Sequence, residues 1–213
     1  MGSDIELTKE QKALILGTLL GDGSVEKRNK NPRLRIDHSV AQKDYVFWKY
    51  DIFKNIATRE PHVLYEQDKR SGKVFERWYF STKAIPELEF YYRLFYQEGR
   101  KTITEEILDH FRDPLSLAVW LMDDGYKRND CDALRLSTDC FSYEENLILR
   151  KCLFDNFGVS SKIHRKGKVW NIYIPSAQMK LTRGLLNPHI IPSMSYKLPP
   201  RNDLVLADRI AAF

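Results

Sequence analysis

Cysteine is scarce in this chain of 213 residues: only Cys131, Cys140 and Cys152 occur, and none forms a Cys-x-x-Cys pair. An odd number without metal spacing excludes a disulfide scaffold and predicts free thiols in a reducing compartment. His62, His110 and His189 have no ligand spacing to one another or to the cysteines, so no zinc site is expected. Long apolar runs are missing as well, and none reaches the length that crosses a bilayer. The start, Met1-Gly2-Ser3-Asp4, lacks the charged-then-apolar layout of a secretory signal. An intracellular protein with no membrane partner is therefore expected, in whichever compartment holds its target. There is no phosphate-cradling glycine loop, no dinucleotide fingerprint and no nucleophile elbow. Nor is there a large excess of one charge: 34 Lys and Arg stand against 29 Asp and Glu, net +5. That balance suits a nucleic-acid partner without demanding one.

What the chain does contain is a pair of segments that end alike. Ile15-Leu16-Gly17-Thr18-Leu19-Leu20-Gly21-Asp22-Gly23 and Leu117-Ala118-Val119-Trp120-Leu121-Met122-Asp123-Asp124-Gly125 are apolar runs that stop at an acid followed by glycine. The two acids stand about half the chain apart. This predicts two related halves, each aiming one carboxylate from the end of a buried helix. Paired carboxylates are what metal-dependent phosphodiester cleavage needs.

The elements around the two segments repeat. Thr8 with Gln11 reads as a capping box opening the first helix. Residues 33–40 alternate, with Arg33, Arg35, Asp37 and Ser39 on one face and Leu34, Ile36, His38 and Val40 on the other. An amphipathic helix over 42–56, strands over 62–68 and 74–81, and a helix over 87–96 follow. Asp113-Pro114 supplies the cap and first residue of the second motif helix. Residues 133–138 alternate again, and Ser142 with Glu145 opens a helix that Gly158 ends. Strands over 160–165 and 169–174 meet at Lys166-Gly167, and a helix covers 177–186. Each half reads αββαββα, an α+β protein with an N-terminal half at 1–98, a linker at 99–112 whose 105–111 portion also reads as helix, and a C-terminal half at 113–213.

The two motifs and the order of elements behind each resemble the LAGLIDADG homing endonucleases, in the single-chain branch whose second motif reads Met-Asp-Asp-Gly. The resemblance covers residues 8–200. It implies two pseudo-symmetric halves, each with a curved antiparallel sheet, packed through the two motif helices. Gly17, Gly21 and Ala118 would allow the helices to approach closely, and the glycine after each motif acid matches a left-handed helix cap. Val119 and Asp123 depart from the small-residue pattern, standing where the first motif has Gly17 and Gly21.

The resemblance assigns metal binding to Asp22 with the Gly21 carbonyl and to Asp124 with the Asp123 carbonyl. Such hard oxygen donors imply Mg²⁺, with Mn²⁺ as a substitute and Ca²⁺ supporting binding without cleavage. It places Lys101 and Lys197 beside the reacting phosphates, where they would neutralise charge. Gln42 matches a water-positioning glutamine, and Asp139 takes that place in the second half, so the two catalytic centres should be unlike. The sheets would lie in the major groove of double-stranded DNA. Arg33, Arg35, Asp37, Ser39, Arg77 and Tyr79 are the candidate contacts in the first half, and Arg135, Ser137, Lys162, His164, Asn171 and Tyr173 in the second. The implied activity is cleavage of both strands of a long, asymmetric target by a monomer, encoded within an intron. The alternative is an RNA maturase, or an inactive nucleic-acid-binding protein, of the same fold.

Overall fold

The structure is a computed structural model that describes residues 6–198, apart from 29, 68, 69 and 71. Asp68 at the end of one expected strand, Ser71 in the expected hairpin turn and Pro199 beyond Lys197 lie outside the described residues.

The first half opens with α1 (Lys9–Leu20), capped as its sequence requires: Thr8 accepts from the Gln11 backbone N–H, and Gln11 returns the bond to Thr8. β1 (Ser24–Glu26) and β2 (Arg33–Ser39) follow, then α2 (Lys43–Phe53), β3 (His62–Gln67), β4 (Val74–Ser81) and α3 (Glu89–Phe95). Between the halves lie a short pair, β5 (Tyr96–Gln97) and β6 (Arg100–Lys101), and a single turn of helix, α4 (Ile107–His110). The segment expected as a linker is thus built into the fold, and β6 sets the position of Lys101.

The second half repeats the order with α5 (Pro114–Asp124), β7 (Gly125–Lys127), β8 (Leu134–Ser137), α6 (Tyr143–Phe157), β9 (Lys162–Lys166), β10 (Val169–Ile174) and α7 (Met179–Leu186). Asp113 caps α5 by accepting from Leu115, the Ser142–Glu145 box opens α6, and Gly158 closes α6 in the left-handed region at φ 67°. The two antiparallel sheets have matching orders, β1-β2-β4-β3 and β7-β8-β10-β9. β2 is half-buried and alternates as its sequence predicts, with Leu34, Ile36 and His38 turned into the core.

The helices α1 and α5 are buried on nearly every side and pack against each other at the centre of the molecule. The departure at Val119 and Asp123 has a direct reason. A methyl group at Gly17 would collide with the Ser116 carbonyl and sit 2.7 Å from the Val119 Cβ; one at Gly21 would strike the Asp123 side chain. Glycines on one helix make room for side chains on the other, so the crossing is complementary rather than symmetric.

One expectation fails at the motif ends. Neither Gly23 nor Gly125 has positive φ; Gly125 is extended at φ −81°, ψ 153°. Glycine is needed there for space instead. A side chain at Gly23 would collide with the Thr18 methyl, and one at Gly125 with Leu121.

Candidate active site

Both motif helices release their acids at the same end of the molecule. The Gly23 N–H bonds back to the Thr18 carbonyl at 2.9 Å, which folds the chain over the end of α1 and leaves Asp22 at the surface with 42% of its side chain exposed. Asp124 is the last residue of α5 and half-buried. The motif ends touch: the Asp22 N–H donates to Asp123 Oδ2 at 3.3 Å.

Each lysine named from the sequence lies on its own motif. Lys101 Nζ donates to the carbonyls of Gly21 at 3.1 Å and Gly23 at 2.9 Å. Lys197 Nζ donates to the Asp123 carbonyl at 2.7 Å. Burial pulls both ammonium groups below the ordinary lysine value, and the carboxylates of Asp22, Asp123 and Asp124 work against that fall. The Gly21 and Asp123 carbonyls, assigned to metal, are thus also the oxygens the lysines hold.

The two acids differ electrostatically. Partial desolvation would raise Asp22, but the His38 ring beside it, with Lys49 and Lys197, holds its carboxyl below the ordinary value. Asp124 is pushed up to about 7 by burial and by the neighbouring carboxylates Asp22 and Asp123, against the pull of Lys101 and Lys197. No hydrogen bond or ion pair to the Asp124 carboxylate occurs among the described residues.

This donor set fits a hard divalent cation. Two carboxylates and two carbonyl oxygens stand at adjacent helix ends, where the helix dipoles favour positive charge. Among the described residues, no group of three or more His, Cys, Asp or Glu side chains could enclose a metal by itself. An ion held by so few protein ligands keeps positions for water and substrate oxygens, the coordination Mg²⁺ favours.

Gln42 is half-buried and donates to the Tyr196 hydroxyl at 3.2 Å, while Asp139 is exposed and accepts from Asn171 at 2.7 Å. The two positions therefore engage different partners, although the sequence aligns them.

The candidate contact residues fall on the sheets as the alternation predicts, but they are held very differently. Arg33 and Arg35 both grip Glu26, Arg35 also bonds Asp37 at 3.3 Å, and Arg77 pairs with Asp37 and lies 3.8 Å from Glu66. Tyr79 lies under the Arg35 guanidinium at 4.9 Å, and Ser39 is exposed at the strand end opposite Arg77. In the second half His164 stacks on Tyr173 at 4.6 Å, and Arg135 lies 6.0 Å from the same ring. Among the described residues neither Arg135 nor Lys162 meets a carboxylate. Ser137 is half-buried opposite Asn171, and Asn171 itself is buried with its amide turned to Asp139.

Sequence reasoning missed a buried polar cluster behind Asp22. Lys49 is 0% exposed and bonds the Asp123 carboxylate at 2.8 and 3.0 Å. The Tyr45 hydroxyl donates to the same carboxylate at 2.6 Å, and burial with the adjacent Asp123 charge pushes that hydroxyl well above its ordinary pKa, so it stays a donor. Two signals were available. His38 falls on the apolar face of an alternating strand, and Lys49 sits midway between Tyr45 and Phe53 at helical spacing, on the stripe that faces the core.

Comparison with known proteins gives the family and the fold. Residues 12–181 match the sequence model of the LAGLIDADG DNA endonuclease family. The cytochrome b mRNA maturase bI2 of Debaryomyces hansenii is 30% identical over 198 residues, covering 90% of this chain and 74% of that protein. The DNA endonuclease I-ChuI of Chlamydomonas applanata is 29% identical over 215 residues, covering 93% of this chain and 98% of that one. The structure of the homing endonuclease I-WcaI bound to its DNA recognition sequence superposes with a TM-score of 0.86 at 28% identity, covering 92% of this chain and 89% of the other.

Proposed function

The chain belongs to the LAGLIDADG DNA endonuclease family, and from that premise we propose that it recognises one long, asymmetric duplex site and cuts both strands as a monomer. The observation that carries this reading is the contact between the ends of α1 and α5, where the Asp22 N–H bonds Asp123 beside Asp124 and a lysine holds each motif end. The likeness to I-ChuI and to DNA-bound I-WcaI supports it.

Asp22 and Asp124, with the carbonyls of Gly21 and Asp123, are the groups that would hold divalent cations, Mg²⁺ by the chemistry of the donors. Such a cation supplies an acidified attacking water and charge neutralisation at the phosphate. Lys101 and Lys197 add fixed ammonium charge at both motif ends, in surroundings dry enough to strengthen it. The two sheets hold the duplex so that both scissile phosphates lie at the helix ends. Their unlike side chains are the reason for an asymmetric target.

A second reading, a maturase acting on intron RNA, is favoured by the likeness to the bI2 protein. It gives no role to two carboxylates and two lysines converging on one edge. Cleavage of a randomised duplex library, with Mg²⁺ or Ca²⁺ and sequencing of the cut ends, separates the two. A single long site cut on both strands with Mg²⁺ and not with Ca²⁺ is the expected result. Binding without cutting in either metal moves the protein to the second reading.

A further inference from the structure

Lys49 carries a charge that is costly to bury. Its ammonium is fully buried, and its three hydrogens are used by the two Asp123 oxygens, at 2.8 and 3.0 Å, and by His38 Nε2, at 3.2 Å. A buried ion pair of this kind is seldom worth more to stability than well-packed apolar side chains. What it does supply is orientation.

An ammonium can only donate, so His38 Nε2 accepts and the ring hydrogen is on Nδ1. That nitrogen is buried, has no hydrogen-bond partner, and faces Asp22 Oδ2 at 3.4 Å. At the other end of the chain of contacts, Asp123 Oδ2 accepts from the Asp22 backbone N–H at 3.3 Å. One buried series, His38–Lys49–Asp123, therefore meets both the carboxylate and the backbone of Asp22.

Among the described residues the second half has nothing equivalent at Asp124. Ser24 pairs with Arg35 on the first sheet and Tyr126 with Arg135 on the second, and counting on from those pairs puts Thr138 where His38 stands. Thr138 is neutral, and it bonds Asn146 and the Trp170 carbonyl. Asn146 in turn donates to the backbone of Phe141 and Ser142.

We propose that His38 and Lys49, with Asp123 as their buried counter-charge, are positioning residues that hold Asp22 in one pose for its cation, and that this support exists for one of the two motif acids only. The inference rests on the endonuclease reading for its effect on cleavage but not for its effect on cation binding.

Two substitutions at His38 test it. His38→Leu removes both ring nitrogens; His38→Asn keeps an amide N–H near the position of Nδ1. Mn²⁺ binding to the metal-free protein, followed by electron paramagnetic resonance, should weaken about 10–100-fold at one site in His38→Leu and recover most of that in His38→Asn. On a supercoiled plasmid carrying the target, His38→Leu should slow one strand far more than the other, so nicked circles accumulate. Unchanged Mn²⁺ affinity in His38→Leu overturns the proposal, as does an equal slowing of both strands. Thermal unfolding of each variant separates positioning from folding: a loss that Asn does not rescue and that follows melting is structural, and also overturns it. If the unaltered protein binds Mn²⁺ and cuts no DNA, the endonuclease reading falls, and the Mn²⁺ comparison still decides the role of His38.

Discussion

On the first sheet, three carboxylates interleave with three arginines: Glu26 holds Arg33 and Arg35, and Asp37 holds Arg35 and Arg77, with Glu66 beyond. On the second sheet, Arg135 and Lys162 have no carboxylate among the described residues, and the organising group is the Tyr173 ring. The surroundings of the ionisable groups show the same contrast. Arginines draw Glu26 below its ordinary value against the effect of partial burial. His164 is lowered by partial burial and by the cations Arg135, Lys162 and Arg128 around it. Exposed ion pairs add little stability. Their effect here is to fix guanidinium poses before any ligand arrives, which reduces the ordering cost of binding. Arg135 and Lys162 on the second sheet keep their charges unpaired among the described residues, which suits attraction to phosphates. The same division runs through the motif ends, where Asp22 has His38 beside it and the Asp124 carboxylate has no hydrogen-bond or ion-pair partner among the described residues.

The largest effects should come from the motif acids themselves. Asp22→Asn or Asp124→Asn should each reduce double-strand cleavage on the order of a thousandfold or more while leaving target binding within a few-fold, read by gel shift in Ca²⁺. If binding collapses together with cleavage, the carboxylates are structural and the two ends are not catalytic equivalents. Next is the buried pair of the first half. Lys49→Met strands Asp123 without its counter-charge and should cost about 3–5 kcal/mol of unfolding free energy, whereas Lys49→Met with Asp123→Leu should recover most of it. Chemical denaturation measures both.

The contrast between the sheets gives smaller and more diagnostic shifts. Arg35→Ala should relax discrimination at one base pair by about 1–3 kcal/mol. Lys162→Ala should leave the base preference alone and reduce the log–log salt slope by about 0.9, one phosphate contact. The reverse pattern would exchange the roles of the two sheets. The smallest effect is in pH. A carboxyl raised to about 7 in the folded state binds its proton more tightly than in the unfolded chain. Its contribution therefore lowers the stability of the metal-free protein as pH rises from about 4 to about 7. The Mn²⁺ needed for half-saturation should rise as pH falls below about 7, and Asp124→Asn should flatten both dependences.

Local chemistry was legible. The Thr8–Gln11 and Ser142–Glu145 boxes, the Asp113-Pro114 start and the Gly158 stop lie within a few residues of what they control, and all four are present. The alternation of β2 is visible because one face of that strand must be buried. At Gly23 and Gly125 the acid-glycine ending suggests a left-handed cap, while the actual demand comes from Thr18 and Leu121 crowding the position. Lys49 escaped because a lysine inside an apolar stripe has meaning only with its partner, and Asp123 lies 74 residues away. Asn171 shows the limit of counting strand positions. Alternation placed it with the contact residues, and the fold closed it in against Asp139.

By itself, the sequence determined the two-fold repeat, the order of elements and the two motif acids, while the two lysines were implied by the family resemblance alone. Periodicity, capping and motif spacing are local, and each acts before distant parts of the chain have met. Only the tertiary structure decided how those parts differ: which arginines are held by acids, which glycines make room for which side chains, and why Asp22 has a buried support that Asp124 lacks. Those outcomes depend on contacts between residues far apart in the chain, where burial strengthens each charge and close packing leaves a single arrangement that satisfies it.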